Sequence, residues 1–252
     1  CYYCRTGHAN LCERAQKKPV REGLLIGPGG LCDYVIVNTG YLFKIPDTLS
    51  YEEASLTEPL ACVVHSVTKA NIQLGEDVVV IGGGIMGQYH VMLAKRRGAR
   101  VIMSEVDESR RTLARKLGAD ITFNPMEKDP VEYVKSLTEG RGADVVFNTT
   151  AIPSVVPQAI AMTGKAGRMI QYSSMHPDAP APVSPQMLHG NEPILTGSIS
   201  PDVHDFFTAN RLLSGGIIDC KPLIAKKFPF EQAQQAFEAA IVPGTFRVII
   251  TD

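Results

Sequence analysis

The stretch VVVIGGGIMG, residues 78–87, places four apolar residues directly before a glycine-rich turn that opens a segment of helical pattern. Its Gly-x-Gly-x-x-Gly spacing is common by chance, but between a strand and a helix each glycine has a task. The glycines allow a tight turn, close approach of the backbone to a pyrophosphate, and close packing of helix on strand. The pyrophosphate would lie at the helix N-terminus, where unpaired N–H groups favour an anion. We therefore expect a dinucleotide-binding loop that includes Gly82, Gly84, Ile85, Met86 and Gly87.

An acidic residue follows the next apolar run at the distance that such a loop requires. Glu105 lies 18 residues after Gly87, near the offset of about 20 at which a carboxylate binds a ribose 2′-hydroxyl. A carboxylate there would repel a 2′-phosphate, so NAD is favoured over NADP. Arg110 and Arg111 follow closely: we count Arg110 among the cofactor-binding residues, and the alternative for both is a solvated helix face. The alternative for the whole motif is a glycine turn in a generic α/β protein, with Glu105 a solvated acid.

Apolar runs recur around this loop at intervals of about twenty residues and alternate with segments of helical pattern. The runs VVVI, RVIM, ITF, DVVF and RMIQY are typical of strands buried on both faces. Between them, Leu113 and Leu117 lie one helical turn apart, and Gly118 follows as a helix stop. This alternation predicts an α/β fold with a doubly wound parallel sheet, which a sixth run, PILTGSI, completes near Ile199. We also expect small β structure at 32–37 and 41–45, a helix at Phe237 and a closing strand, RVII.

The overall composition excludes several classes of protein. With 252 residues, 44% hydrophobic and 20% charged, the chain fits a soluble globular protein of one or two domains. Its net charge of -1 and pI of about 6.7 give no basic field for nucleic acid or an anionic membrane. No apolar run approaches the roughly 18 residues that span a bilayer. Six cysteines, three of them within the first twelve residues, favour a reduced cytoplasmic protein with one metal cluster.

Three of the cysteines have metal-ligand spacing. Cys1, Cys4 and Cys12 stand at C-x₂-C-x₇-C, which brings thiolates round one metal ion. A closed structural zinc site takes four ligands, so one ligand is missing from this spacing. Cys1 and Cys4 could alternatively form a redox pair, but no thioredoxin-like strand leads into them, and Cys12 would have no task. We therefore predict structural zinc.

The segment LTEPLACVVHSV, residues 56–67, adds a family resemblance to the cysteine spacing and the glycine loop. Together they resemble the zinc-dependent medium-chain alcohol dehydrogenases, more closely the sorbitol, polyol and threonine dehydrogenase branch, over essentially the whole chain. The resemblance implies a Rossmann domain at residues 59–200 and the later pieces of a split GroES-like β catalytic domain at 1–58 and 201–252. It also implies a four-cysteine zinc loop whose first ligand precedes Cys1 by three residues, so the N-terminal quarter of such a protein would be lacking.

The same resemblance assigns the catalytic residues. Glu58 matches a glutamate beside the catalytic zinc, as a ligand or through water; without the resemblance it would be a helix-capping acid. Cys62 is expected near the nicotinamide pocket, and a small buried hydrophobe is its alternative. Arg247 resembles an arginine or lysine that reaches the cofactor phosphates, and a surface strand arginine is its alternative. Glu58, Cys62 and His65 could also share one helix face as a metal trio, which we consider the weaker interpretation.

The implied function is enzymatic: a zinc-dependent oxidoreductase that transfers hydride between NAD and a secondary alcohol of a polyol, sugar alcohol or hydroxy amino acid. The family's other catalytic zinc ligands fall before Cys1, so the alternative is an NAD-binding fragment or regulatory protein without alcohol-oxidising activity. The cysteine loop and the Glu-Pro-Leu segment disfavour a zinc-free reductase. Family members are dimers or tetramers, so we expect a homodimer or homotetramer with a small-molecule alcohol as substrate and without nucleic acid or membrane partners.

Overall fold

The computed structural model describes residues 1–14, 32 and 34–251. Its main sheet consists of β1 (Asp77–Ile81), β2 (Arg100–Ser104), β3 (Ile121–Phe123), β4 (Ala143–Asn148), β5 (Thr163–Gln171) and β6 (Ile194–Gly197). All six strands are parallel, in the order β3-β2-β1-β4-β5-β6. β1 is buried along its whole length, because helices cover both faces, and its run is therefore continuously apolar. The predicted α/β doubly wound sheet is confirmed.

Helices pack on both faces of this sheet. The α-helices of the described residues are α1 (Tyr2–Arg5), α2 (Tyr51–Ala54), α3 (Thr57–Ala70), α4 (Ile85–Arg96), α5 (Glu108–Leu117), α6 (Pro130–Leu137), α7 (Val155–Met162), α8 (Pro185–Asn191), α9 (Val203–Ser214) and α10 (Ala233–Ala240). On the first face, α3, α4 and α9 share one core through Leu60, Leu93 and Leu213. On the second face, Val134 of α6 and Met162 of α7 pack against the strands.

Local sequence signals set several helix ends. Asp107 caps α5 by accepting a hydrogen bond from the Arg110 N–H at 3.0 Å. Gly118 ends α5 in the left-handed conformation at φ 116°, which confirms the predicted stop. Asp129 caps α6, and Pro130 opens its first turn, where a missing N–H costs nothing.

A second, two-stranded parallel sheet lies near the end of the chain. β7 (Ile224–Pro229) pairs with β8 (Arg247–Thr251), and α10 connects them. The closing strand and the helix at Phe237 are confirmed, whereas β7 was not predicted, because Lys226 and Lys227 interrupt its apolar pattern.

The β structure expected at 32–45 is wrong for the residues described there. Residues 34–37 belong to no strand, and Thr39–Tyr41 forms a 3₁₀ turn held by the Asn38 side chain. Tyr34 and Ile36 are almost fully exposed. A strand requires a hydrogen-bonded neighbour, and no described segment pairs with these residues.

The division into domains at residues 58/59 and 200/201 stays a prediction. α9 follows the second boundary, yet it packs along α3 and shares its core with the main sheet. α3 itself begins at Thr57. Within the described ranges, no helix is long and apolar enough to cross a bilayer.

Candidate functional site

The glycine-rich turn joins β1 to α4 at the carboxyl edge of the sheet. Gly82 has φ 96°, and a Cβ there would lie 2.8 Å from Thr149 Oγ1. A Cβ on Gly87 would lie 1.8 Å from the Gly82 carbonyl oxygen, so the first turn of α4 rests directly on the loop backbone. Only glycine fits these two positions. The strand, turn and helix that give the motif its meaning are all present.

Gly84 contributes open space to the same turn. A Cβ on it would meet no atom within 4 Å, and it is the N-cap of α4 without a side chain that caps the helix. The N–H groups of Ile85, Met86 and Gly87 in the first turn therefore remain available to an anion, which the helix dipole also favours. This open space and these donors fit a dinucleotide pyrophosphate.

Glu105 is buried against the glycine loop. Its carboxylate accepts hydrogen bonds from the Gly83 N–H and from the Asp107 N–H, the latter at 2.9 Å. Arg110 Nη1 lies 3.9 Å from Glu105 Oε2. The alternative in which Glu105 is a solvated acid is therefore wrong, because a buried carboxylate requires such partners. A carboxylate has about four acceptor positions, so a ribose hydroxyl can still bind.

Arg110 and Arg111 of α5 differ, and neither lies on a solvated helix face. Arg111 is buried and donates to the carbonyl oxygens of Glu105 at 2.6 Å and Val106 at 2.7 Å, so it holds the loop backbone. Arg110 is largely buried, its enclosed Nε has no hydrogen-bond partner among the described residues, and its guanidinium lies 5.9 Å from the centre of the Phe246 ring. Arg110 therefore places a partly exposed guanidinium beside Glu105, and its contact with the cofactor stays a prediction.

Arg247 begins β8, next to Phe246, and lies near α4. Burial raises the pKa of Tyr89 on α4, and the charge of Arg247 opposes that rise. In the described part of the chain, no carboxylate forms an ion pair with Arg247. The C-terminal strand thus brings a positive charge to the helix that follows the glycine loop, and its contact with cofactor phosphates stays a prediction.

Glu58 and Cys62 face each other across one turn at the start of α3. The helix begins at Thr57, so Glu58 lies within its first turn and is not its N-cap. Glu58 is exposed in the first turn, where the helix dipole favours a carboxylate. Cys62 Sγ donates to Glu58 Oε1 at 3.3 Å. Burial, and then the charge of Glu58, raises the pKa of Cys62 to about 12, so the thiol keeps the proton that it donates.

A tyrosine that was not predicted completes the Glu58–Cys62–Tyr172 cluster. Tyr172 directly follows β5 and lies near Cys62 and Glu58: burial, and then the charges of these two residues, raise the pKa of Tyr172. Its ring packs edge-on against the ring of His90, with 4.8 Å between centroids. The signal that could have identified it is its place at the end of a buried strand, since open α/β sheets bind ligands at the carboxyl edge.

His90 is fully buried behind this tyrosine. Its Nδ1 lies 2.8 Å from the Met86 carbonyl oxygen, and its Nε2 lies 2.9 Å from Ser66 Oγ. Burial lowers the pKa of His90 to about 4, so the ring is neutral near pH 7. Because both ring nitrogens are hydrogen-bonded, the imidazole keeps one orientation, and the Tyr172 ring packs against it.

His65 does not join Glu58 and Cys62. Its Nδ1 lies 2.8 Å from Asp205 Oδ2 on α9, and its Nε2 lies 3.5 Å from the Asn10 amide nitrogen. The predicted metal trio is therefore wrong, because the opposite charge of Asp205 draws the imidazole towards α9. Across the residues that the structure describes, Cys1, Cys4 and Cys12 are the one group of three metal-ligand side chains found together.

The three cysteines form a compact cluster. Their sulfur atoms all lie within 4.8 Å of one another, and Sγ of Cys1 is 3.6 Å from Sγ of Cys4. Two sulfurs bound to one tetrahedral zinc are about 3.8 Å apart, so the cluster fits zinc. Cys12 lies with the other two, which disfavours a Cys1–Cys4 redox pair. Asn10 fastens the loop to the rest of the protein by donating to the Ile199 carbonyl oxygen at 2.9 Å.

Comparison with known proteins identifies the family. A family described as zinc-binding dehydrogenase matches residues 86–215. L-threonine 3-dehydrogenase of Caldanaerobacter subterraneus is 32% identical over 257 residues, which cover 99% of this chain and 71% of that protein. The chain belongs to the zinc-binding dehydrogenase family. D-arabitol-phosphate dehydrogenase of Enterococcus avium is 31% identical over 99% of this dehydrogenase and 70% of its own length.

Solved structures agree with this assignment. L-idonate 5-dehydrogenase of Escherichia coli superposes with a TM-score of 0.85 at 27% identity, over all of this chain and 72% of that one. A candidate zinc-binding dehydrogenase of Sinorhizobium meliloti, bound to NADP, superposes with a TM-score of 0.89 at 28% identity, over 100% and 73%.

Family membership confirms several predictions for this dehydrogenase. It is an oxidoreductase that transfers hydride between an alcohol and a nicotinamide dinucleotide, with zinc as the family's metal. The interpretation as a nucleotide-binding fragment without activity is not favoured. The confirmed cofactor is NAD or NADP, and a preference for NAD stays a prediction.

Proposed function

We propose that this dehydrogenase oxidises a secondary alcohol of a polyol, sugar alcohol or hydroxy amino acid with NAD, and that Glu58 acts at the catalytic metal. The observation that carries the proposal is the position of two sites at one edge of the sheet. The glycine loop follows β1, and Tyr172, which lies near Cys62 and Glu58, follows β5. Only β4 lies between those strands, so their ends are about 10 Å apart, within the reach of one dinucleotide.

The cofactor would lie along this edge with its adenosine ribose near Glu105 and its nicotinamide near Cys62. The N–H groups at the start of α4 hold the pyrophosphate, with Gly84 leaving the room. Glu105 accepts from the adenosine ribose at one end, where the partly exposed guanidinium of Arg110 lies beside it. The nicotinamide then reaches Cys62 at the other end. The buried carboxylate of Glu105 is the reason to prefer NAD, since a 2′-phosphate would lie against it.

The metal-binding roles follow from the donor sets. Cys1, Cys4 and Cys12 would hold structural zinc, and Glu58 would contact the catalytic zinc directly or through water. When bound, the catalytic zinc supplies a Lewis acid that makes the alcohol easier to deprotonate, and the nicotinamide accepts the hydride. Glu58 has one oxygen held by Cys62, which leaves Oε2 to face the metal or its water.

The relatives suggest the substrates to test. Their names specify D-arabitol phosphate, sorbitol and L-threonine, each of which carries a secondary alcohol. We expect at least one of these compounds to be oxidised in a steady-state assay with NAD, and more slowly with NADP. Inactivity towards all three and towards other secondary alcohols would contradict the proposed reaction.

Glu58 provides the sharper test of mechanism. Glu58→Gln keeps the shape of the side chain and removes its charge, so we expect kcat to fall about 10–100-fold with the Kd for NADH unchanged. Glu132→Gln, at an exposed glutamate of α6 on the second face, is the matched control and should keep full activity. Unchanged turnover of every accepted alcohol in Glu58→Gln would remove Glu58 from the mechanism.

We further infer a homodimer or homotetramer that works in the cytoplasm. The family resemblance supports the assembly, and the clustering of half the cysteines into one metal loop supports a reducing compartment. Sedimentation velocity of the purified protein tests the first inference, and a monomer would contradict it. Imaging of a tagged chain in its host tests the second.

A further inference from the structure

Gln88, the fourth residue of α4, is a fully buried amide beside the glycine loop. Its Nε2 donates to the Gly83 carbonyl oxygen at 2.9 Å and to the Arg110 carbonyl oxygen at 3.0 Å. Its Oε1 has no hydrogen-bond partner among the described residues. A side-chain amide carries two N–H donors and one acceptor oxygen, so Gln88 acts through its donors.

The two hydrogen bonds of Gln88 join the glycine loop to the start of α5. Gly83 lies in the turn between β1 and α4, and Arg110 is the third residue of α5. Glu105 lies between these elements, directly after β2. One buried side chain of α4 therefore ties together the two segments that surround the Glu105 carboxylate.

The backbone of Gly83 is held from both sides. Its N–H donates to the Glu105 carboxylate, and its carbonyl oxygen accepts from Gln88. A Cβ on Gly83 would lie 2.9 Å from Glu105 Cγ and 3.3 Å from Arg110 Cβ, so these residues pack closely. Because Arg110 Nη1 lies 3.9 Å from Glu105 Oε2, the four residues form a closed ring of contacts.

This ring determines where the Glu105 carboxylate lies. A glycine has no side chain to restrict its φ and ψ, so contacts on the N–H and the carbonyl oxygen fix the conformation of Gly83. Gln88 supplies the contact on the carbonyl oxygen. A carboxylate held in place before the ligand arrives avoids the entropic cost of ordering it on binding.

Stability alone does not account for a glutamine at position 88. A buried amide oxygen without a partner costs free energy, and an apolar side chain of similar length would avoid that cost. Methionine is such a side chain, but it has no N–H to donate to Gly83 or Arg110. What the glutamine adds is therefore the link between the glycine loop and α5.

We propose that Gln88 is a positioning residue that sets the Glu105 carboxylate for its contact with the 2′-hydroxyl of the adenosine ribose. The inference rests on the cofactor role proposed for Glu105, and it adds a support for that role on α4. Gln88 acts through Gly83 and Arg110 and not by its own contact with the cofactor. Affinity for the adenosine half of the dinucleotide then depends on a residue outside the glycine motif.

The test compares ADP with 2′-deoxy-ADP, which lacks only the hydroxyl that Glu105 would bind. We expect the wild-type protein to bind ADP about ten-fold more tightly in calorimetric titrations, the effect of one hydrogen bond to a charged group. In Gln88→Met this preference should fall to about two-fold, with the Kd for 2′-deoxy-ADP unchanged. Tyr89→Phe, at the next position of α4, is the matched control and should keep the wild-type preference. The buried Tyr89 hydroxyl also has no hydrogen-bond partner among the described residues.

A merely structural role of Gln88 would give a different result. A loosened loop weakens ADP and 2′-deoxy-ADP by the same factor, because both nucleotides carry the same phosphates. An equal loss for the two nucleotides, or the wild-type preference in Gln88→Met, overturns the proposal. Gln88→Leu is the second variant and should behave as Gln88→Met does. Failure of both variants to fold would make Gln88 a residue of the core and would also overturn the positioning role.

The two proposals fail in different ways. If the wild-type protein does not distinguish ADP from 2′-deoxy-ADP, the contact proposed for Glu105 fails, and the positioning role fails with it. If wild type distinguishes them and Gln88→Met does so equally, the Glu105 contact stands and the positioning role is overturned. The titrations need no turnover, so inactivity towards every alcohol would contradict the proposed reaction alone.

Discussion

The glycine loop and the Glu58–Cys62–Tyr172 cluster lie at the same edge of the sheet, but different parts of the chain hold them together. The loop is held by backbone contacts within 30 residues: Gly87 against the Gly82 carbonyl, and the Glu105 carboxylate on the Gly83 N–H. The cluster consists of the Cys62–Glu58 hydrogen bond within α3 and of Tyr172, which follows Cys62 by 110 positions in the chain and packs on His90. Added volume in a site built from backbone contacts destabilises the fold. A substitution in a site built from side chains changes the orientation of the remaining groups before it destabilises the fold.

The largest effect is expected from Gly87→Ala in the backbone-built loop. Its methyl group would lie 1.8 Å from the Gly82 carbonyl oxygen, so α4 must shift away from β1. We expect the free energy of unfolding to fall by about 3 kcal/mol or more, and NADH binding to be lost. Urea unfolding and NADH fluorescence titration measure the two quantities.

Gly84→Ala in the same turn is the control for this prediction. A methyl group there meets no atom within 4 Å, and φ is −65°, so stability should change by less than about 1 kcal/mol. NADH affinity should nevertheless fall, because the methyl group occupies the space that the pyrophosphate needs. Equal stability of the two variants would show that the loop is not held by the contact at Gly87.

The next largest effect is a pH dependence of stability that originates at His90, which lies behind the Glu58–Cys62–Tyr172 cluster. The pKa of His90 is lowered to about 4 by burial, against about 6.5 in the unfolded chain. Between these values the unfolded state binds the proton and the folded state does not, so stability present above about 6.5 is lost as the pH falls. Between pH 7 and pH 5 this loss should reach about 2 kcal/mol.

His90→Gln isolates that contribution. Glutamine retains a donor and an acceptor for Met86 and Ser66 but does not titrate. The slope of unfolding free energy against pH should therefore be shallower in the variant over this interval, whatever its absolute stability. Parallel slopes for wild type and variant would mean that the acid sensitivity lies elsewhere, for example in the cysteine loop.

The smallest effect is expected at the rim of the glycine loop. Arg110 holds a partly exposed guanidinium beside Glu105, so Arg110→Gln should weaken NADH binding about five-fold and leave the unfolding midpoint unchanged. Arg115→Gln, on the same helix but paired with Glu108 away from the loop, is the control with wild-type affinity. Indistinguishable affinities of the two variants would remove Arg110 from the cofactor site.

Much of the fold could be predicted because its signals are local. The central strands β1 and β4 contain apolar runs, since strands covered on both faces largely exclude polar residues. The C-terminal end of α5 could be predicted at Gly118, because the left-handed conformation there favours glycine. β7 was missed because exposed lysines hide a strand that only its pairing with β8 defines.

In the candidate site, too, residues with a local sequence signal could be predicted and contacts between distant residues could not. Gly82, Gly87 and Glu105 could be read from spacing, because one turn and two adjacent strands place them. The partners of Glu105 could not, and Arg111 proved to be a buried support of the loop instead of a solvated residue. His65 shares a helix face with Glu58 in the sequence, but its orientation is set by Asp205, 140 positions away.

The sequence by itself determined the apolar runs that form strands, the dinucleotide loop and the cysteine cluster, because each depends on neighbouring residues in the chain. Only the tertiary structure decided that Tyr172 lies near Cys62 and Glu58, and that His90 stands buried and neutral behind Tyr172. The physical reason is that Tyr172 comes near Cys62 only when β5 pairs with β4 and α3 packs over that part of the sheet. No spacing along the chain encodes that arrangement.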